Sequence, residues 1–229
     1  MTEETAPIRI LFVFAWLVVG GEETEVRLLA GNLDPRRFRI DVVTCFRKPG
    51  MPEQTHEQLA ALGVDVDTTP YKLSFEATVD YLAAKIPCYD IVVSCQNVAD
   101  IYPALERLHL RPPLVEHGGL VSEALAGPKH LTNRYIGVCR SIRDAAASHM
   151  PGREHHALEI SRRPLLGEGA LQRAIVFASI DDDPFRILPR RPQQDPVHRV
   201  PAAGHRFGGE GRHVGLTGDE AVPHRTLQS

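Results

Sequence analysis

The chain has 229 residues, 43% hydrophobic and 24% charged, with a formal net charge of −3 and a pI near 6.4. That length fits one or two folded domains, and the mild acidity excludes a protein that wraps phosphate backbones, because such domains are strongly basic. Aromatic residues make up only 6%, too few for a platform that stacks single-stranded bases. The longest apolar run, 10–19, is ten residues long, about half of a bilayer span. No transmembrane helix is expected, and the acidic start Thr2-Glu3-Glu4-Thr5 lacks the positive charge of a secretory signal. These features predict a cytoplasmic protein, with peripheral contact at the inner membrane face as its closest approach to lipid. Cys45, Cys88, Cys95 and Cys139 form no CxxC pair, so reduced thiols are expected. Cys45, Cys95 and Cys139 each end an apolar run, which places them in buried strands.

Strand and helix patterns alternate through the first 160 residues. The apolar stretch 8–19 predicts a strand buried on both faces, broken by Gly20-Gly21. A helix over 22–32 follows, carrying Val26, Leu29 and Ala30 at helical spacing and acidic residues in its first turn, where the helix dipole favours them. Strands are expected at 38–45, 64–66, 90–95, 113–116 and 135–139, and helices at 53–62, 75–85, 101–108 and 142–148, the last with Ser141 as its N-cap. This alternation predicts right-handed crossovers and a doubly wound parallel α/β sheet of Rossmann-like type.

Composition divides the chain into 1–160 and 161–229. All four lysines precede residue 160, whereas the last 69 residues hold ten arginines, seven prolines, eight glycines and four histidines. A segment so rich in Pro and Gly has little apolar surface to offset its ordering entropy, so 161–229 is expected to be a low-order Arg/Pro/Gly-rich tail. Two accounts fit it: a natural disordered extension, or GC-rich DNA translated out of frame, which enriches Arg, Pro, Gly, Ala and His and removes Lys. We favour the second.

Doubly wound sheets bind ligands at the carboxyl ends of their strands. The residues predicted there are Gly20-Gly21-Glu22-Glu23, Phe46-Arg47-Lys48, Gln96-Asn97, His117-Gly118-Gly119 and Arg140-Ser141. Gly20-Gly21 is either a tight strand-to-helix turn or a loop that lets a ligand approach the backbone and a helix N-terminus. His117 is either a satisfied core histidine or, with two glycines after it, an exposed ring on an open loop; the second is favoured. A dinucleotide site is poorly supported because positions 20–25 read G-G-E-E-T-E rather than G-x-G-x-x-G. No HExxH or paired cysteines suggest zinc, and the sequence lacks a G-x-S-x-G elbow and a phosphate-loop signature. No metal is expected.

Several segments together resemble the N-terminal domain of the family 4 glycosyltransferases of the GT-B fold. They are Gly20-Gly21-x-Glu23 with Leu29-Ala30, then Phe38-Arg39-Ile40-Asp41-Val42-Val43-Thr44, Leu59-x-x-Leu62-Gly63-Val64 and Tyr89-Asp90-Ile91-Val92-Val93-Ser94. Pro113-Leu114-Val115-Glu116-His117-Gly118 is similar to the family's strand-plus-histidine element, and Tyr135 to Asp144 to its V-S-x-x-x-R-D element, with Cys139 at the usual serine. The resemblance covers about 8–160. It implies an acceptor-side domain of an enzyme that moves a sugar from a nucleotide-sugar donor to a glycan or lipid-linked acceptor with retention of configuration. By matching position, His117 would be catalytic, near the transferred sugar. Gly20, Gly21, Glu23, Asn97, Gly118 and Arg140 would line the substrate site, the Gly20-Gly21 loop lying beside the donor diphosphate and the acceptor. Neither a cofactor nor a metal is implied, since helix dipole and basic side chains neutralise the leaving diphosphate.

The family's second domain, with a basic pair and two glutamates eight positions apart, has no counterpart here. The tail glutamates Glu168, Glu210 and Glu220 have no acidic residue eight positions on. The resemblance therefore implies a truncated enzyme, inactive or weakly active as this chain, or one needing a separate donor-binding domain or partner chain. A non-catalytic binding module and a nucleotide-dependent oxidoreductase remain the alternatives from the sequence.

Overall fold

The computed structural model describes residues 6–159; the expected tail at 161–229 lies outside the described residues. Seven strands form one parallel sheet. In chain order the elements are β1 (Ile8–Phe14), α1 (Gly21–Asn32), β2 (Phe38–Thr44), α2 (Gln54–Ala61), β3 (Asp65–Asp67), α3 (Phe75–Lys85), β4 (Ile91–Cys95), α4 (Ile101–Glu106), β5 (Leu114–Gly118), α5 (Val121–Leu125), β6 (Thr132–Gly137), α6 (Arg140–Ser148) and β7 (Ala157–Glu159). The strand order is β3-β2-β1-β4-β5-β6-β7, every pair parallel. This is the doubly wound arrangement the alternation predicts.

Period-two alternation divides the strand side chains between two apolar layers. Ile10, Phe12, Phe14, Val42, Val93, Cys95 and Val115 pack with Val26 and Leu29 of α1 and Leu59 of α2. Leu11, Val13, Val43, Val92 and Leu114 pack on the opposite face with Val79 and Leu82 of α3 and Ile101 and Leu105 of α4. Both faces of the central strands are covered, which explains their unbroken apolar sequence.

Several boundaries differ from expectation. The first strand ends at Phe14, because 15–20 turns out of the sheet and bonds to the chain after β4. The sixth begins three residues earlier, at Thr132, whose hydroxyl is bound by Glu116. The N-cap of α6 is Cys139, with Ser141 already inside the helix, so Cys139 lies beyond the end of β6 and is only partly buried instead of sitting in a buried strand. The fifth strand runs on through His117 and Gly118, so the histidine sits in the sheet rather than on an open loop. The two short elements α5 and β7 add to the expected set; three-residue strands leave little periodicity to read.

Candidate functional site

The order of strands reverses between β1 and β4, so their carboxyl ends diverge into the crevice where ligands of this fold class bind. Three chain segments meet there. The Trp16 backbone N–H donates to Gln96 Oε1 at 3.1 Å, and Gln96 Nε2 donates to Glu23 Oε1 at 3.0 Å. Glu23 Oε1 also accepts the Val18 N–H at 3.3 Å, while the Thr55 hydroxyl donates to the Val18 carbonyl. Asn97 Oδ1 accepts from the Tyr102 hydroxyl at 2.6 Å. These bonds hold two consecutive non-glycine residues left-handed, Gln96 at φ 62° and Asn97 at φ 50°. Such residues cost energy and persist where the surroundings over-determine them.

Of the predicted substrate residues, Glu23 is buried and serves as the clasp of this loop. A Cβ on Gly20 would come 2.5 Å from its carboxylate, whereas a Cβ on Gly21 would meet nothing within 4 Å. Gly20 is therefore glycine because Glu23 lies against it, and Gly21 is the residue facing open space. Gly118 is buried, and a Cβ there would strike the Tyr135 hydroxyl. Arg140 is exposed at the first turn of α6, and no hydrogen bond or ion pair joins it to the others.

His117 is 3% exposed. Parallel register sets Phe14 beside Cys95 and Cys95 beside His117, so these three share the face covered by α1. The first turn of α1 then supplies carboxylates: Glu22 Oε1 lies 3.7 Å from Nδ1 and Glu25 Oε2 3.1 Å from Nε2. Burial by itself would push the imidazolium pKa down; Glu22, Glu25 and Glu123 outweigh it and hold the pKa above its ordinary value. Burial raises the Glu25 carboxyl, with His117 opposing and Glu22 adding to the rise. Burial likewise raises Glu123, again with Glu22 adding. Glu123 fixes the next turn, accepting the N–H groups of Gly119 and Leu120 at 2.8 and 2.9 Å.

This cluster was only partly visible from sequence. Glu22 and Glu25, three apart in one helix, share a face, but nothing in the sequence says which strand they cover. Cys95, assigned to a core strand, is indeed buried, and a Glu22 carboxylate oxygen, its Sγ and a ring nitrogen of His117 lie within 4.8 Å of one another. Across the crevice, Trp16 and Phe46 meet edge to face with ring centroids 5.5 Å apart, and Lys48 Nζ sits 5.7 Å from the centre of the Trp16 ring. Trp16 is hidden in sequence within an apolar run.

No family model matches the sequence, and no curated protein matches it. Solved structures give partial likenesses. The lipopolysaccharide outer core galactosyltransferase WaaB in its apo form superposes with a TM-score of 0.48 at 12% identity, over 62% of this chain and 42% of that one. An O-GlcNAc transferase from Thermobaculum terrenum gives 0.43 at 11% identity, over 61% and 26%. An assigned UDP-N-acetylglucosamine 2-epimerase from Listeria monocytogenes gives 0.42 at 12%, over 64% and 43%. The chain thus spans less than half the length of each. The strand order and register stand independently of these likenesses. Among the described residues, no helix is long and apolar enough to cross a membrane.

Chemically, the crevice offers an imidazole surrounded by carboxylates, open space at Gly21, the Asn97 side chain and an aromatic pair. Among the described residues, carboxylates rather than cations gather around His117. Glu22, Glu23, Glu25 and Glu123 all act on Cys95 with the same sign, adding to burial in raising its thiol pKa. Such a surface suits hydroxyl groups, whose hydrogen bonds carboxylate and imidazole can accept or donate. It does not suit an unassisted diphosphate.

Proposed function

We propose that residues 8–160 are the acceptor-side half of a glycosyltransferase that transfers a sugar from a nucleotide-sugar donor to a glycan or lipid-linked acceptor with retention. The observation that carries this reading is the convergence of His117, the Gly20-Gly21 loop and the Gln96-Asn97 turn on the β1/β4 switch point. It coincides with the order of segments that gives the sequence its family 4 resemblance. His117, whose pKa Glu22 and Glu25 hold above its ordinary value, would hydrogen-bond a hydroxyl of the transferred sugar. Gly21 and Asn97 would face the acceptor. The acidic first turn of α1 assigns neutralisation of the leaving diphosphate to basic groups on a second domain or partner chain. Without them the described domain would bind acceptor and catalyse little, since losing even one oxyanion-stabilising contact costs about 3 kcal/mol of transition-state stabilisation.

The full chain is to be titrated against an array of glycans and assayed for nucleotide release from a panel of nucleotide-sugars. Saturable glycan binding is expected, with nucleotide release near background. His117→Ala should weaken binding at least tenfold under conditions where circular dichroism shows the variant folded, even though removing a buried ring lowers its unfolding midpoint. Absence of glycan binding, or equal binding by wild type and His117→Ala, would overturn the assignment. Adding a separately expressed donor-binding domain of a related enzyme should restore release only with wild-type His117.

A further inference from the structure

Glu22, Cys95 and His117 come from three different elements, α1, β4 and β5, yet their ligating atoms gather within 4.8 Å. Two of the three are almost fully buried. Neither Glu22 Oε2 nor His117 Nε2, both shielded from solvent, makes a hydrogen bond among the described residues, and Glu25 Oε2 is in the same position. Buried polar atoms are normally bonded, because leaving them bare costs about 1–3 kcal/mol each. His117 Nε2 and Glu25 Oε2 face each other at 3.1 Å, which leaves Glu22 Oε2, beside the gathered Cys95 and His117 ligand atoms, as the buried oxygen without any partner among the described residues.

We propose that Glu22, Cys95 and His117 bind a divalent transition-metal ion of the Zn2+ class, with Glu25 orienting the imidazole from behind. The donor set decides the class: thiolate and imidazole favour Zn2+ and its neighbours, whereas Mg2+ and Ca2+ prefer oxygen alone. Tetrahedral zinc sites place neighbouring N and O ligands about 3.4 Å apart, close to the 3.7 Å between His117 Nδ1 and Glu22 Oε1. The opposite ring nitrogen lies 3.1 Å from Glu25 Oε2, which is where metal-binding histidines keep a carboxylate partner. Charge also balances. A dication joined to one carboxylate, one thiolate and a neutral imidazole gives a neutral inner set, and the metal's charge offsets the carboxylates that otherwise disfavour the thiolate. Binding releases the Cys95 Sγ proton and, where His117 carries two ring protons, the proton of the ligating nitrogen. Three protein ligands leave a fourth tetrahedral position for water or a substrate oxygen.

This departs from the sequence expectation of no metal, which rested on ligand spacings within one stretch of chain. Here the ligands are separated by 73 and 22 positions, and only sheet register joins them. The metal site is argued apart from the glycosyltransferase assignment: with both His117 nitrogens engaged by the ion and Glu25, a sugar hydroxyl would meet the open coordination position instead of the ring.

The test is titration of the full chain with Co2+ followed by absorption, and with Zn2+ by calorimetry. One equivalent should bind, with a thiolate-to-Co2+ charge-transfer band that Cys95→Ser abolishes and Cys139→Ser and Cys88→Ser leave unchanged. Glu22→Gln, a change at a partly exposed helix start, should weaken Zn2+ binding tenfold or more, and Glu25→Gln by about 10–100-fold. Circular dichroism establishes that each variant is folded. Absence of the band in wild type, its survival in Cys95→Ser, or unchanged Zn2+ affinity in Glu22→Gln would overturn the proposal. Glycan binding measured with and without chelator separates this outcome from that of the transferase assignment.

Discussion

Glu116 and His117 are consecutive in β5 and equally buried at 3%, yet they face opposite layers and live in opposite circumstances. Glu116 is fully engaged: Lys129 Nζ donates to both its oxygens at 3.1 and 2.9 Å, and the hydroxyls of Tyr102 and Thr132 complete the set. His117 has carboxylates close by on both nitrogens, but Nε2 and two surrounding carboxylate oxygens lack hydrogen bonds. One side of the strand is fully paired, and the other keeps polar atoms without hydrogen bonds. Equal burial within one strand thus goes with very different completeness of pairing.

The sharpest way to break the comparison is to disrupt the fully paired side. Glu116→Gln should destabilise the fold by about 3–5 kcal/mol, because it leaves the Lys129 ammonium buried without its countercharge. The double variant Glu116→Gln/Lys129→Met should recover much of that loss. Glu25→Gln, on the less paired side, should stay within about 1 kcal/mol of wild type, since it removes one carboxylate from a crowded group. Urea unfolding measures all three, and equal losses for Glu116→Gln and Glu25→Gln would erase the distinction.

Gly118→Ala tests how tightly the two sides are joined. The added Cβ strikes the Tyr135 hydroxyl, and overpacking of this kind costs about 1–3 kcal/mol. Tyr135→Phe removes that hydroxyl, a buried group without a hydrogen bond among the described residues, so it should rescue Gly118→Ala and by itself leave stability unchanged or slightly higher. A loss on Tyr135→Phe would show that the hydroxyl is engaged after all.

Asp67, at the other edge of the sheet, provides a paired carboxylate that can be followed by pH. Burial would raise its pKa, but the Lys85 ammonium at 2.6 Å, the Tyr81 hydroxyl and Thr69 hold it down to about 2. A carboxyl depressed on folding stabilises above its unfolded pKa and ceases to as pH falls through the folded value. Asp67→Asn should therefore be about 2 kcal/mol less stable than wild type at neutral pH, the gap closing as the pH falls from about 4 to about 2. A gap that is constant with pH would assign the loss to packing.

The smallest effect belongs to the left-handed turn. Gln96→Gly and Gln96→Ala lose the same bonds to Trp16 and Glu23, but only glycine is relieved at φ 62°. The glycine variant should be the more stable of the two by about 1 kcal/mol, and the reverse order would mean that the backbone there is unstrained.

The fold was legible because parallel strands covered on both faces write long apolar runs, and the helices between them carry their own period. Element ends were less legible. Strand β1 stops at Phe14 inside an apolar run, since Trp16 and Val18 are held by Gln96 and Glu23, partners that no local pattern announces. At the site, His117 and the two glycine loops stood out through residue type at strand ends. The exposure expected for His117 failed, because the covering first turn of α1 comes from far away in sequence. The approach of Glu22 and Cys95 to His117 was invisible for the same reason: it depends on which strands lie side by side.

The bond between Trp16 and Gln96 spans 80 positions of chain, and this has a consequence for the order of assembly. As the polypeptide emerges during synthesis, β1 can pair with β2 early, through a short crossover, but the crevice has no second wall until β4 and β5 follow. Until then the loop 15–20 lacks the partner that orients it, and β1 presents one unpaired edge. The carboxylates of α1, neighbours already on one helix face, are therefore covered only when the central sheet closes, and His117 arrives in the same step. A chain released before residue 117 would carry the glycine loop and its acidic helix without the imidazole they surround.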